Sequence, residues 1–430
     1  MACHLKCYVS DTSGLAHLGP RPSRSIGLRV GISNENNDTC ISSPLSWNDS
    51  QTGGILLHRT KMPRGRGGRP TRTEPLLHHP GNTYLPFAKL IDLEKIDNNT
   101  YRSIAPAFAP GGPVGVGRSY GAHVFMQAAW AAAQTVEPGF LVHNVSGNFI
   151  LAGELNVPFV YKVHTIRNGR SYCTRIVNVT QSQGKGICFT CIVSFKTPEH
   201  VQVESQEQVD LWQTYATVLK DKRPSDFPEV PSMDLPFYWK RREETGYNDK
   251  FPGLECRKVD MSAYNKDKHP LDRRQLIFYR TIGDMPNDEN MHLCAHLFAS
   301  DRNSLYIVAN HFGLGDYFTS MSSLVHTVIM HSPAPATLFG SQTSPNHQRS
   351  PLDDESGRWF CMESWGSRVS SGRAVYNCRI WNSRGEHIAT AMQDGLIRYA
   401  ANPKQPTAEE LKFLADNTRK WEGRGREKKL

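Results

Sequence analysis

The run "HLFASDRNSLYIV", His296 to Val308, holds one carboxylate, Asp301, among apolar residues. Leu297, Phe298, Leu305, Tyr306, Ile307 and Val308 are all expected to be buried. An ionised carboxylate in that company is costly unless a partner holds it or a reaction uses it. Two readings stand at this point. Through "SDRN" the Asp can cap or end a helix, or it can accept a proton from a nucleophile. Gln393, in the apolar run "IATAMQDGLI", raises the same question, because a buried carboxamide needs hydrogen-bond partners. His123, His326 and His331 could belong to a nucleophile system. No G-x-S-x-G elbow accompanies them, so structural or pocket-lining roles fit them better.

The bulk numbers narrow the class. A chain of 430 residues is too long for one simple core and implies two or more units. No apolar run approaches the roughly 18 residues that span a bilayer, so no membrane insertion is expected. The stretch "MACHLKCYVSDTSGLAHL" has no apolar core of signal-peptide type. Ten scattered cysteines do not make a disulfide scaffold. The close pair Cys188 and Cys191 lies on a strand-like pattern with no second pair at zinc spacing, so buried thiols are expected and no metal. A net charge of +9 invites a nucleic-acid reading. Residues 1–73, however, carry ten Lys/Arg against four Asp/Glu, and residues 412–430 carry seven against three. The basicity belongs to the ends. "RGRGGRPTR" lacks the aromatic interleaving that nucleic-acid stacking uses, so no nucleic-acid partner is expected.

These residues must be positioned by a body with a weak internal repeat. In the first copy, strand-like "KIDNNTYRS" precedes helical "YGAHVFMQAAWAAAQTV", and three strands follow: "FVYKVHTI", "RSYCTRIVNVTQ" and "GICFTCIVSFK". The second copy runs "RQLIFYRTI", helical "NMHLCAHLFASD", then "SSLVHTVIMH", "WFCMESWGSRV", "RAVYNCRIWN" and "HIATAMQDGLIRY". Each copy is a long helix against an antiparallel sheet, an α+β unit of two layers, and two such units can set their sheets side by side. The expected organisation is a disordered basic extension over 1–83, a first domain over 84–199 and a linker over 200–270. A second domain over 271–402 and a C-terminal helix or basic tail over 403–430 complete it. If Gly184 aligns with Gly385, Ile192 stands where Gln393 does, and aligning the helices puts Ala133 near the place of Asp301. One site, built mainly on the second half, follows.

Taken together, "DLEKIDNNTYRS", "YGAHVFMQAAWAAAQTV", "IRNGRSYCTRIVNVTQ" and "ICFTCIVSFKTPE", then "HLFASDRNSL", "SSLVHTVIMHSP" and "MQDGLIRY", resemble the acyl-CoA thioesterase II family over about residues 84–400. The Ala-rich helix and "FILAGELNVPFVY" look most like fungal members. The resemblance implies two fused hotdog domains. It also implies hydrolysis of a fatty acyl-CoA to a free fatty acid and CoA, without cofactor or metal. In that family water is activated by an Asp, a Ser or Thr, and a Gln, and these map to Asp301, Ser323 and Gln393. Ser323 by itself is an ordinary strand serine that only this position promotes. The chemistry agrees: a carboxylate can take the proton, and a hydroxyl and a carboxamide, each donor and acceptor, can fix the water's orientation.

Gly121-Ala122-His123 stands where family members often have Gly-Gly-Gln, and Val325 where they often have Asp. Gly121 and His123 are therefore candidates for binding substrate. Arg170 and Arg373, each following a Gly at matching repeat positions, either hold CoA phosphates or are ordinary turn-flanking arginines. Two other functions remain open: an acyl-CoA-binding protein of weak activity, and a thioesterase for a specialised acyl thioester in secondary metabolism. The C-terminal "KKL" resembles the peroxisomal S-K-L address with Lys428 in place of a small residue. A peroxisomal location is the expectation, with cytoplasmic or mitochondrial as the alternative. A homo-oligomer is compatible with all of this.

Overall fold

The computed structural model describes residues 85–111, 117–181, 186–200, 202–246, 251–340, 353–354, 357–399 and 409. The expectation for residues 1–83 lies outside the described residues, as does that for 403–430 apart from Glu409. The helices are α1 (Phe87–Leu90), α2 (Gly121–Ala133), α3 (Leu211–Thr214), α4 (Ala216–Leu219), α5 (Pro236–Thr245), α6 (Ser262–Asn265), α7 (Glu289–Ser300), α8 (Ser304–His311) and α9 (Ala334–Thr337). In the first half the strands are β1 (Leu93–Lys95), β2 (Thr100–Ser103), β3 (Leu141–Phe149), β4 (Phe159–Asn168), β5 (Tyr172–Gln181) and β6 (Ile187–Lys196). The second half has β7 (Leu254–Lys258), β8 (Gln275–Thr281), β9 (Phe318–Met330), β12 (Phe360–Ser370), β13 (Arg373–Trp381) and β14 (His387–Tyr399). A small hairpin, β10 (Asp353–Asp354) with β11 (Gly357–Arg358), stands apart.

Twelve strands form one antiparallel sheet in the order β1-β2-β4-β5-β6-β3-β9-β14-β13-β12-β8-β7. Read outward from the β3–β9 seam, the two halves have the same connectivity, with β3 matching β9, β6 matching β14 and β5 matching β13. At the seam Ser146 pairs with Thr327, and their hydroxyls hydrogen-bond at 2.8 Å. Helices α2 and α7 pack side by side on the inner face of this sheet. Every residue of α2 from Ala122 to Ala133 is buried. That explains its alanines, whose small side chains let strands and the partner helix approach from all sides. This is the α+β arrangement of two fused hotdog units, each with a long helix on an antiparallel sheet and the sheets side by side.

Sequence patterning missed β3, the strand that joins the halves. "LVHNVSGNF" is rich in turn formers, and its buried positions do not alternate simply. The cause is a β-bulge. His143 is left unpaired between Val142, opposite Phe195, and Asn144, opposite Ser194, so Val142 and Val145 are both buried although three residues apart. Residues 200–270, read as a connection, supply β7 at the outer edge and helices α3 to α6. Leu211, Tyr215 and Leu219 from this stretch form a second core with Leu276, Phe278 and Trp381. Strand β8 is thereby covered on both faces, because Ile277 and Tyr279 belong to the main core.

The bulge also corrects the repeat alignment. In β9 it is Leu324 that stands unpaired, between Ser323, opposite Gly395, and Val325, opposite Asp394. Matching the two bulges puts Val142 at the place of Ser323 and Val145 at the place of His326. Val145 pairs with Val193 and His326 with Gln393, so the counterpart of Gln393 is Val193 and not Ile192. Ile192 is 50% exposed, whereas Val193 and Gln393 are 0% exposed. A one-residue slip in a strand exchanges the faces, and the sequence alignment had slipped by one. Likewise Ala133 is the buried last residue of α2, while the C-capping position that Asp301 holds in α7 is Gln134, exposed, because α2 is one residue longer. The corrected register makes a direct prediction. Val193→Gln should cost about 2–4 kcal/mol in urea unfolding, because it buries an unpaired carboxamide. Ile192→Gln should stay within about 0.5 kcal/mol. The reverse order would overturn the register.

Candidate active site

Asp301 sits where two helices meet. It is the C-cap of α7, with φ −91° and ψ −5°. Asn303, at φ 64°, turns the chain so that α8 begins at Ser304. A left-handed non-glycine residue is uncommon, and Asn tolerates it best. The turn brings Ser304 Oγ to donate to Asp301 Oδ1 at 2.9 Å. From the other half of the chain, the N-terminus of α2 arrives, and Ala122 N–H donates to Asp301 Oδ2 at 3.1 Å. Gly121 makes this approach possible, since a Cβ there would lie 3.0 Å from Asp301 Oδ2 and 3.1 Å from the Phe149 ring.

The remaining partners come from the sheet. Gln393 Nε2 donates to Asp301 Oδ1 at 2.6 Å and to Ser323 Oγ at 2.9 Å. The single amide nitrogen thus spends both hydrogens on the other two members of the set. Ser323 reaches the inner face only because of the Leu324 bulge. Without it, residues 323 and 326 would point to opposite faces. The structure therefore brings Asp301, Ser323 and Gln393 together from a helix end and two neighbouring strands.

Burial pushes the Asp301 carboxyl up to about 6 from its ordinary 3.8, against hydrogen bonds from Gln393, Ser304 and Ala122 that pull it down. Burial likewise raises the hydroxyls of Tyr120 and Tyr306, with the Asp301 charge adding to it. The opposite holds for His326, which is pushed down to about 3 by burial and is therefore neutral. A cavity of about 350 Å³ opens on this group, lined by Asp301 and Ser323 and by Phe149, Leu151, Tyr306 and Met321. Polar and apolar side chains share the lining, Arg118 and Arg302 among the former, and such a mixed concave surface suits a small organic ligand. Of the six apolar residues around Asp301 expected to be buried, Tyr306 alone is partly exposed.

The other candidates fall elsewhere. Gly121 lines the cavity. His123 does not line it: it is fully buried, with its ring 6.2 Å from that of Phe159. Arg170 is exposed in the turn between β4 and β5 and does not line the cavity. Neither does Arg373, whose guanidinium binds Asp394 at 2.9 Å. The departure at Val325 falls outside the set, because Val325 pairs with Asp394 and alternates with the inward-facing His326 and Gln393. Sequence reasoning missed Ser304, Ala122 and the bulge. Only Ser304, three residues after Asp301, gave any local signal. Among the described residues no group of His, Cys, Asp or Glu is arranged to hold a metal ion. Cys188 and Cys191 are buried, and burial raises both thiols.

Comparison with known proteins agrees with this architecture. Residues 110–196 match the family described as acyl-CoA thioesterase N-terminal domain, and residues 224–397 match the acyl-CoA thioesterase C-terminal domain. The chain is 25% identical over 317 residues to acyl-CoA thioesterase 2 of Haemophilus influenzae, covering 72% of this chain and 96% of that one. It is 24% identical over 315 residues to acyl-coenzyme A thioesterase 8 of Mus musculus, covering 72% and 88%. Among solved structures, acyl-CoA thioesterase II TesB2 of Mycobacterium marinum aligns with a TM-score of 0.51 at 22% identity, over 74% of this chain and 99% of that one. A hotdog-fold protein of unknown function from Alicyclobacillus acidocaldarius aligns with a TM-score of 0.51 at 15% identity, over 75% and 98%. The two domain families are matched in chain order, one on each half of the continuous sheet, and the chain belongs to the acyl-CoA thioesterase family.

Proposed function

We propose that this thioester hydrolase cleaves fatty acyl-CoA to a free fatty acid and CoA, with water activated by Asp301, Ser323 and Gln393. The observation that carries the reading is the Gln393 amide nitrogen bridging Asp301 Oδ1 at 2.6 Å and Ser323 Oγ at 2.9 Å on the wall of a half-apolar cavity. Because Ser323 Oγ accepts from Gln393, its own hydrogen is free to be donated to a water oxygen. Asp301 Oδ2, holding one backbone N–H, has a lone pair left for a water hydrogen. A water between them presents its oxygen to the thioester carbonyl as its proton passes to Asp301. The tetrahedral intermediate then breaks the C–S bond. The CoA thiolate leaves and takes up a proton, and the acyl carbon keeps the new oxygen as the carboxylic acid.

A carboxylate titrating at about 6 is ionised at neutral pH yet still basic enough to take the proton. No covalent intermediate on the enzyme is required. The apolar lining by Phe149, Leu151 and Met321 supports a hydrocarbon acyl group as the substrate class. Ser323 and the capping groups fix the geometry in advance, and such positioning carries much of a hydrolytic rate enhancement.

Release of free thiol from acyl-CoA of several chain lengths tests the reading. Asp301→Asn should lower kcat by about 10²–10⁴-fold, and Gln393→Ala by about 10–10³-fold. Near-normal hydrolysis by the Asp301 variant would sink the assignment. In the free enzyme, kcat/KM should fall on the acid side with a midpoint at about 6 as the carboxylate protonates.

The same carboxyl makes a separate prediction for stability. Its pKa in the fold, about 6, lies above the ordinary 3.8, so the fold favours the protonated form. That stabilisation is complete below pH 4 and is lost as the pH rises past about 6. Asp301→Asn has no such dependence. The stability of the variant relative to wild type should therefore improve by up to about 3 kcal/mol between pH 4 and pH 8. Urea unfolding at both values measures it, and a difference that moves the other way contradicts a raised carboxyl.

A further inference from the structure

Attack of water on a thioester puts negative charge on the carbonyl oxygen, and stabilising that charge takes a donor aimed at the oxygen. The donors that hold Asp301 cannot supply it. Ala122 N–H and the Ser304 hydroxyl are spent on Asp301, and the Gln393 amide nitrogen is spent on Asp301 and Ser323. Other side chains on the cavity wall are committed too. Tyr120 donates to the Phe298 carbonyl at 2.9 Å, and Arg302 to the carbonyls of Ser232 and Pro231 at 2.8 and 2.6 Å. Ser119 and Ser322 donate to the carbonyls of Tyr120 and Ser323, both at 3.3 Å. The Asn303 amide nitrogen has no partner among the described residues, but it is sealed from solvent. Arg118 lines the cavity but is exposed, and a donor in water does little for a developing charge.

Tyr306 differs from all of these. It stands in the first turn of α8, two residues after Ser304, and lines the same cavity as Asp301 and Ser323. Long side chains on a helix lean toward its N-terminus, and here Asp301 sits at that end. The phenol ring is stacked on Phe318, with centroids 6.0 Å apart and planes 29° apart. The residue is largely enclosed, yet its hydroxyl has no hydrogen-bond partner among the described residues. A tyrosine hydroxyl withdrawn from water ordinarily finds one. Unlike Gln393 Oε1, this oxygen is not sealed from solvent. The Asp301 charge adds to burial in raising the phenol, so the two groups are within electrostatic reach of each other. At neutral pH the hydroxyl is protonated, a donor without an acceptor near the buried carboxylate.

We infer that Tyr306 is a catalytic residue whose hydroxyl donates to the thioester carbonyl oxygen and to the oxyanion that forms there when water attacks. The proton stays on the phenol throughout, and no bond to Tyr306 is made. When the C–S bond breaks, the carbonyl re-forms and the oxygen loses its charge. A ring fixed against Phe318 holds the donor in place before the charge develops, and such preorganisation is what makes a donor effective. The role rests on the hydrolytic reading, but the hydrogen bond can be read without any turnover.

Two unreactive analogues of acyl-CoA test it. In one, a methylene replaces the thioester sulfur and leaves a ketone. In the other, an S-alkyl-CoA, the carbonyl is absent. Tyr306→Phe keeps the ring and removes only the hydroxyl, so its urea midpoint should match that of wild type. The variant should bind the ketone about two- to fivefold more weakly than wild type does, and the S-alkyl-CoA equally well. The ¹³C resonance of the ketone carbonyl should move downfield on binding wild type and less on binding the variant. With acyl-CoA itself, kcat should fall about 10–10²-fold, more than the affinity does, because the bond strengthens as charge develops. A carbonyl resonance that is the same on both proteins, or a variant kcat within about twofold of wild type, overturns the inference even if Asp301→Asn is inactive. Should the variant fold poorly, a ketone carbonyl that does not move downfield on wild type overturns it as well. If wild type binds neither analogue and releases no thiol from acyl-CoA, the hydrolytic reading falls and the role of Tyr306 with it.

Discussion

A carboxylate cannot be buried without donors, and much of this structure is arranged around supplying them to Asp301. Three hydrogen bonds reach it from three separate places: the first turn of α8, the first turn of α2 and the last strand of the sheet. Each donor requires a particular piece of architecture. Ser304 needs the left-handed turn at Asn303, and Ala122 needs a glycine before it so that the two helices can close. Gln393 needs the ladder that sets β14 beside β9. Even so the donors do not fully replace water, and the carboxyl remains poised at about 6. That residual cost is what holds the Asp301 carboxyl above the ordinary carboxylate range.

The strand bulge is the second element on which the site depends. It occurs at matching places in both halves, at His143 and at Leu324. It is therefore a feature of the repeated unit and not of catalysis as such. The two halves differ in what they put on the faces it exposes. The second half offers Ser323, His326 and Gln393, while the first offers Val142, Val145 and Val193, all buried. One half of a duplicated fold has become core, and the other carries polar groups that need one another. The first half still contributes, because the α2 N-terminus and Phe149 complete the site from across the seam.

The seam also explains why the sheet is a single body. β3 and β9 pair along five residues through Ser146 and Thr327, so neither half ends in an open edge at the centre. On the far side the stretch 200–270 covers the outer face of β8 and β12 with Leu211, Tyr215 and Leu219. Tyr215 reaches through to Glu363 at 2.5 Å, and Trp381 Nε1 donates to the same carboxylate at 3.1 Å. The second half is thus packed on both faces, which makes it a firm support for the polar group around Asp301.

Much of this was legible in the chain. Alternating runs marked β4, β5, β6, β13 and β14, continuous apolar runs marked β8 and β12, and the alanine-rich stretch marked α2, because regular elements write their burial directly into spacing. The types at Asp301 and Gln393, polar in apolar company, flagged the site, since an unpaired buried polar group is too costly to be accidental. What the chain alone did not yield was where regularity fails. β3 was missed, and Gln393 was matched to Ile192, because a bulge inserts one residue and leaves the hydrophobic pattern out of phase. Ala122 was an ordinary residue until the fold set it beside Asp301 from 179 positions away, and Ser323 was marked only by the family resemblance. Residue type and local spacing determined the elements and the costly polar groups. Their partners were decided by tertiary structure, because a hydrogen bond depends on distance in space, and two helix termini and a strand bulge set that distance here.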